Sequence, residues 1–332
     1  MLDYAFYRLP DTTEYHVVRG QAQYFDKLPD LSECQGFVMA PFTPSASCPY
    51  IVIRPERSMT RPMPKRGGRF KMKWREKSNR TIYRHDFKAM QQLLGEGILD
   101  KVVLSRRSDC KVASWAGTLG QIFQKACRMY PHQMVALVYT AVSGAWLMAT
   151  PEVLLERHGD QWRTMALAGT MTTPGPWSDK NIREQKIVEQ YVTEAIGAYA
   201  KDIEKTQPYT TSAARLYHIR TDFSFRLDNG ATPKNIIEAL HPTPAVCGLP
   251  RERAMAAILQ NESIDRRYYS GFCGPCNLWE ETSLYVSLRC LEMCDEKNFR
   301  LYAGGGLLRE SIEAEEWKET KAKLDTMKNV LG

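Results

Sequence analysis

The chain has 332 residues, 43% of them hydrophobic and 25% charged, which is apolar material enough for one large globular core or two ordinary ones. Its formal charge of +7 suits anionic partners such as small acidic metabolites, and the excess is local: residues 54–80 hold eleven Lys/Arg against two Asp/Glu. No run of about 18 apolar residues occurs, and Met1-Leu2-Asp3-Tyr4-Ala5 lacks a basic stretch followed by an apolar one. These absences argue against a membrane partner and a secretory signal, so the cytoplasm is the expected compartment.

Residues 1–50 read as short strands and turns, with Phe37-Val38-Met39-Ala40 a strand before the breakers Pro41, Pro44 and Pro49. Tyr50-Ile51-Val52-Ile53 is a further strand. The basic stretch at 54–80 carries Pro62, Pro64, Gly67 and Gly68 and reads as a mobile, solvated loop. Its aromatics are too sparse for a nucleic-acid module, and no nucleic-acid partner is expected. A helix is predicted over residues 83–99, a compact strand over 101–106 and a helix over 119–129. Residues 134–139 and 145–149 form a hairpin around Ser143-Gly144. Residues 153–157 and 161–168 continue the antiparallel pattern.

The longest helical signal covers 178–203, with Ser178 or Asp179 as its cap and Ile182, Val188, Val192, Ala195 and Ile196 along one stripe. Residues 216–225 then read as a strand, 233–240 and 251–260 as helices, and 282–291 and 299–302 as strands. A glycine turn, Gly304-Gly305-Gly306, leads into a closing helix. Hairpins mixed with helices, without regular alternation, indicate an α+β fold: a single large domain of extensive antiparallel sheets packed against helices. Residues 1–80 are taken as its β-rich N-terminal part and 81–332 as its catalytic core.

Nine cysteines, an odd number in a chain without a signal, point to reduced thiols. Cys273-Gly274-Pro275-Cys276 spells a redox dithiol, but such a motif needs a helix starting at its first cysteine, and here a strand follows. Buried thiols are the expected reading, for Cys290 and Cys294 as well. The six histidines show no metal-ligand spacing. Glu316, Glu319 and Lys323 fall at i, i+3 and i+7 on one face of the closing helix. Such a stripe is either a solvated face or a metal-and-anion site. Glu152, just after a hairpin strand, and Glu184, early in the long helix, are further carboxylates of the kind Mg²⁺ prefers.

Several segments, taken in order, resemble the chorismate-utilising enzymes, most closely the isochorismate synthases. They are Lys101-Val102-Val103-Leu104-Ser105-Arg106, Thr150-Pro151-Glu152-Val153-Leu154, Ala166-Leu167-Ala168-Gly169-Thr170, Arg183-Glu184-Gln185 and Leu216-Tyr217-His218. Next come the stretch from Leu240-His241-Pro242-Thr243-Pro244 through Ala245-Val246-Cys247-Gly248, then Tyr269-Ser270-Gly271, Ser287-Leu288-Arg289 and Ala303-Gly304-Gly305-Gly306. Glu316-Trp317-Lys318-Glu319 and Lys323 close the series, which runs from about residue 85 to the end.

The resemblance implies Mg²⁺-dependent isomerisation of chorismate to isochorismate: water adds at C2 and the C4 hydroxyl leaves. It assigns Lys101 as general base, a role that burial of the lysine favours, and Glu152 as general acid, which must keep its proton near neutral pH. Glu184 and Glu319, with Glu316 directly or through water, would hold the metal. Arg289 and Lys323 would pair with the enolpyruvyl carboxylate. Gly169, Thr170, His218, Ala245, Val246, Tyr269, Gly304 and Gly306 complete the expected substrate site.

Single positions separate the relatives. Anthranilate synthases resemble the chain but lack a lysine at the position of Lys101, and aminodeoxychorismate synthases carry a nucleophilic lysine where this chain has Ala168. Salicylate synthase, the alternative reading, shares Lys101 and Glu152 but not the stretch from His241 to Val246. Gln185 stands where many members have histidine. No glutamine amidotransferase subunit is expected, and the product would feed menaquinone or siderophore synthesis. The short N-terminal region and the lack of a fused lyase favour quinone synthesis. The closing helix should then turn its charged stripe to a pocket, with Trp317 and Leu324 packed away from it.

Overall fold

Alternation along the central strands assigns their two faces to different cores. The computed structural model describes residues 3–64, 71–213 and 216–332. Among these, twenty strands form two antiparallel sheets and six helices flank them. The first sheet has the spatial order β16 (Gly248–Leu249), β8 (Lys101–Ala116), β20 (Asn298–Leu307), β19 (Cys290–Met293), β10 (Gly144–Thr150), β9 (Met134–Thr140), β1 (Asp3–Arg8), β2 (Glu14–Gly20), β6 (Arg57–Pro62), with β7 (Lys71–Ser78) also paired to β8. The second runs β13 (Ala200–Lys205), β15 (Leu216–Leu227), β12 (Gln161–Met171), β11 (Val153–His158), β18 (Thr282–Val286), β17 (Phe272–Cys276), β4 (Gly36–Ala40), β5 (Tyr50–Ile53), β3 (Ala22–Phe25), with β14 (Tyr209–Ala213) on β15.

In β9, Met134, Ala136 and Val138 enter the core between the sheets, while Val135 and Leu137 enter one beneath α2 (Leu119–Met129) and α6 (Glu313–Leu331). In β12, Met165 and Leu167 face the inter-sheet core, and Ala166 and Ala168 a core beneath α3 (Asp179–Gly197) and α4 (Pro233–Leu240). Strands buried on both faces read as continuous apolar runs, which is why these segments stand out in the sequence. The layers are therefore helices, sheet, sheet, helices. A fourth core joins α1 (Arg80–Gly95) and α5 (Arg251–Asn261) to β8 through Phe87, Met90, Leu104 and Ile258.

Four expectations need correction. The stretch at 54–80 is not a loop throughout: Arg57–Pro62 and Lys71–Ser78 are strands, while residues 65–70 lie outside the described residues. Of its charged residues, Arg57, Arg61, Lys73, Arg75, Glu76 and Lys77 sit on exposed positions of these strands, where backbone pairing with β2 and β8 decides the structure. The long helix ends at Gly197, because residues 200–205 pair with β15 instead (Ala200 opposite Leu227). The predicted strand at 282–291 is two strands in different sheets, and the chain changes sheet at Ser287-Leu288-Arg289. The glycines Gly304, Gly305 and Gly306 form no turn; they extend β20 beside Ser105, Leu104 and Val103.

Ser178 caps α3 as expected, its hydroxyl accepting from the Asn181 amide. All of Cys34, Cys48, Cys110, Cys127, Cys247, Cys273, Cys276 and Cys290 are buried free thiols, and Cys294 is exposed. Cys273 lies in a strand, not at a helix start, and burial pushes its thiol up to about 12. That environment disfavours the thiolate that redox chemistry needs.

Candidate active site

Four elements converge where the two sheets meet. Along β8 side chains alternate, so Lys101, Val103 and Ser105 share one face. β20 lies beside them with three glycines in register, which removes side chains from that side. A Cβ added to Gly306 would sit 2.0 Å from Oε1 of Glu184 and 3.0 Å from Cε of Lys101, so only glycine lets those two groups approach the strand. From the opposite sheet, β12 brings Ala168, Gly169 and Thr170, and β15 brings His218.

The resulting pocket is lined by Glu152, Gly169, Thr170, Glu184, His218, Ala245, Val246, Tyr269, Arg289, Gly304, Gly306 and Lys323, with Val103, Pro151, Leu167, Ala168 and Leu288. Residues from 103 to 323 in sequence thus share one cavity. Lys101 is fully buried behind it, its Nζ 3.0 Å from Glu184 Oε1. The contact is an ion pair without hydrogen-bond geometry, for that Nζ makes no hydrogen bond.

Arg289 enters where the chain passes from one sheet to the other, with φ of 49°, a left-handed conformation that non-glycine residues rarely hold. Its neighbours fix the crossing: Ser270 N donates to Ser287 O at 2.9 Å, and Ser287 N to Gly271 O at 2.8 Å. The Arg289 guanidinium reaches His218, Nη2 to Nε2, at 3.4 Å. The other ring nitrogen, Nδ1, lies 2.8 Å from Gly169 O, which can only accept. Nδ1 therefore carries the proton, and Nε2 offers its lone pair to Arg289. Burial, then the charges of Arg289 and Lys323, push His218 down to about 3, so it is a neutral positioning group.

Glu152 is buried, and burial pushes its carboxyl up to about 7 against the lowering pull of Lys101, Arg289 and Lys323. A carboxyl held there carries its proton near neutral pH. Lys323 on α6 donates from Nζ to Gly304 O at 2.9 Å and to Glu319 Oε1 at 2.6 Å. Burial raises the Glu319 carboxyl, but Lys323 outweighs it and holds the group below the ordinary range. The charged stripe of α6 turns inward, with Glu316 only 1% exposed. Leu324 packs beneath the first sheet and Trp317 against the α1–α5 core.

The three carboxylates expected to hold metal do not form a ready-made cage. Among the described residues no group of three His, Cys, Asp or Glu side chains is placed to hold a metal ion. The reason is electrostatic: each carboxylate holds a lysine. Glu184 has Lys101, Glu319 has Lys323, and Glu316 has Lys180 on α3. The donor chemistry nonetheless fits a hard cation. Glu316 Oε2 is buried without a hydrogen-bond partner, and a Cβ on Gly305 would meet it at 3.2 Å and Glu319 Oε1 at 3.6 Å.

Sequence reasoning missed Lys180, although it lies at i−4 to Glu184 on the same helix. It also missed Glu262 and Arg266 at the end of α5, a pair joined at 2.6 Å with side chains 1% and 2% exposed. Arg266 donates to Val246 O and Val103 O, and Glu262 accepts from Ser105 N, so the pair fastens one pocket wall to another. Gln185, in place of the commoner histidine, donates to Ala166 O and Thr221 Oγ1, tying α3 to the second sheet.

A fold of two stacked antiparallel sheets, enclosing a buried cationic pocket with a protonatable carboxyl, defines a class of binder for small acidic molecules. The family model for chorismate binding enzymes matches residues 55–332, and the chain belongs to that family. It is 29% identical over 247 residues to the isochorismate synthase EntC of Escherichia coli (strain K12), covering 70% of this chain and 63% of that one. To the isochorismate synthase MenF of the same strain it is 31% identical over 256 residues, covering 72% and 57%. The matched part is thus less than two thirds of either relative. The solved structure of the menaquinone-specific isochorismate synthase MenF from Escherichia coli superposes with a TM-score of 0.83 at 22% identity, over 100% of this chain and 89% of that one. DhbC from Bacillus anthracis gives 0.83 at 24%, over 99% and 96%. These likenesses show the fold.

Proposed function

We propose that the chain isomerises chorismate to isochorismate. The observation that supports it most is a single buried pocket lined by Glu152, whose carboxyl burial pushes up to about 7, and by the cations Arg289 and Lys323, with Lys101 buried behind it. Lys101 Nζ takes a proton from a water as its oxygen bonds to C2 of the ring. The double bonds shift, and Glu152 gives its proton to the C4 oxygen, which departs as water. One water enters and one leaves, so no oxidant or reductant is needed. Lys101, paired with Glu184 as an ammonium, has to give up a proton before it can take one from the water. Ala168 offers no amine, which leaves room for water and precludes a covalent adduct at that position.

Arg289 and Lys323 pair with the enolpyruvyl carboxylate, Arg289 with a fork of two donors. Neutral His218 keeps Arg289 in place. Glu184 and Glu319, with Glu316 directly or through water, would hold Mg²⁺, which supplies positive charge for the ring carboxylate. The product then enters menaquinone or siderophore synthesis, and the protein acts without an amidotransferase subunit.

The test is incubation of the purified protein with chorismate and Mg²⁺, with products separated by chromatography. Isochorismate is expected. Salicylate with pyruvate would turn the assignment to salicylate synthase, and unchanged chorismate would overturn it. Calorimetry of Mg²⁺ binding to Glu319→Gln should show weakened affinity; an unaltered isotherm would misplace the metal.

A further inference from the structure

A second cavity, of about 220 Å³, lies on the other side of β8, lined by residues of β7, α1, β8 and the turn after α5. Its defining feature is Arg106. This side chain is 5% exposed, yet neither Nε nor Nη1 has a hydrogen-bond partner, and among the described residues no carboxylate lies within ion-pair distance. Its guanidinium lies 3.5 Å from the ring centre of Trp317. Stacking satisfies the face of a guanidinium but leaves its in-plane N–H donors untouched. A buried cation with open donors is unfavourable unless something accepts from it.

The rest of the lining points the same way. Tyr83, 2% exposed, also has a hydroxyl without a partner. Lys77 adds positive charge, while Arg107 is offset by Asp109. The two acids of the lining are already engaged: Asp86 accepts from Ser263 N and Oγ at 2.9 and 2.6 Å, and Asp109 pairs with Arg107 at 2.9 Å. Ile82 and Ile264 supply apolar wall. We propose that this cavity is a second binding site, taking a small oxyanion on the unpartnered in-plane donors of Arg106, which the side chain turns onto the guest. A carboxylate on a compact apolar body matches it best, since a guanidinium fork and a carboxylate are both planar. The volume is below the roughly 300–1,000 Å³ of sites for larger ligands, which limits the guest to one ring or less.

The site shares no lining residue with the chorismate pocket. It touches that pocket's surroundings through Trp317, which follows Glu316 on α6. Occupancy can therefore be read apart from catalysis.

Crystals soaked in 4-bromobenzoate should show anomalous bromine signal between Ile82, Tyr83 and Ile264, with the carboxylate on Arg106. Further signal at Arg289 and Lys323 is compatible with this. Signal confined to the chorismate pocket, or absent, would overturn the proposal and leave Arg106 a purely structural stack on Trp317. In solution, calorimetry should count two 4-bromobenzoate molecules per wild-type chain, and a count of one refutes the second site. Arg106→Met should lose the second by at least about tenfold in affinity. If that variant does not fold, Lys77→Gln with Arg107→Gln should weaken the same event, and no weakening in either variant counts against the assignment. Inorganic phosphate as competitor separates the sources: displacement of bromobenzoate from Arg106 assigns a general oxyanion site, and persistence a carboxylate site.

Discussion

Burial raises the Glu152 carboxyl against the lowering pull of Lys101 behind the pocket and of Arg289 and Lys323 in it. The opposite tasks of Lys101 and Glu152 follow from their surroundings. Lys101 is sealed in, so removing it should abolish water addition and leave ligand binding to the other side chains. Lys101→Ala is expected to lower kcat by about 10²–10⁴-fold or more, with chorismate binding by calorimetry nearly unchanged; near-normal turnover would end its assignment as base. For Glu152 the sign is fixed by its raised carboxyl. An acid must hold its proton, and this one loses it as pH rises through about 7. The limb that Glu152 sets in kcat/KM should therefore fall above that pH by about tenfold per unit. Residual activity of Glu152→Gln should lack that limb, and a limb that persists belongs to another group.

Helices α3 and α6, and the turn that follows α5, convert sequence spacing into buried ion pairs. Lys180 and Glu184 are one turn apart on α3, and Lys180 reaches Glu316 across to α6. Without it Glu316 would be a buried carboxylate lacking a cation. Lys180→Met should lower the melting temperature in chelator by the equivalent of up to about 3–5 kcal/mol, and added Mg²⁺ should recover more of it than in the wild type. Equal melting in chelator would show that Lys180 does not balance Glu316. Glu262 and Arg266 at the end of α5 are sealed more completely. Arg266→Met leaves Glu262 unpaired and frees Val103 O and Val246 O, so unfolding in urea should shift by about 3–5 kcal/mol. A change under 1 kcal/mol would mean that water reaches the pair.

At the scale of the whole molecule, the N-terminal strands belong to both sheets. β1 pairs with β9, and β4 with β17, so residues before 54 cover both sides of the inter-sheet core. Ala5, Tyr7, Phe37, Met39 and Ile51 pack there with Trp146, Met148 and Tyr268. A chain starting at residue 81 keeps the pocket residues but exposes that apolar surface. It should be insoluble, or bind a hydrophobic dye without a cooperative melt. A soluble, cooperatively melting 81–332 fragment would make the N-terminal strands an accessory. Among the described residues no helix is long and apolar enough to cross a membrane.

Local chemistry wrote much of this into the chain. Apolar runs such as Met134-Val135-Ala136-Leu137-Val138 marked strands because both of their faces are buried, and the Ser143-Gly144 turn fixed a hairpin. The helices at 119–129 and 233–240 were legible with the bounds the structure gives, and Thr118 and Thr232 cap them. The candidate site was legible as ordered motifs, most of whose residues share one pocket in the structure. What the sequence could not carry was the partnering between distant segments. Nothing local separates β18 from β19, since the break at Arg289 exists only because the two strands join different sheets. Nothing local turns Gly304-Gly305-Gly306 from a turn into a strand; pairing with β8 does that, by supplying hydrogen bonds that glycine's own preferences do not. The i, i+3, i+7 stripe of Glu316, Glu319 and Lys323 was open between a solvated face and a site. Packing of α6 on the first sheet excludes the solvated face, by burying Glu316 against Lys180 and turning Lys323 onto Gly304 O.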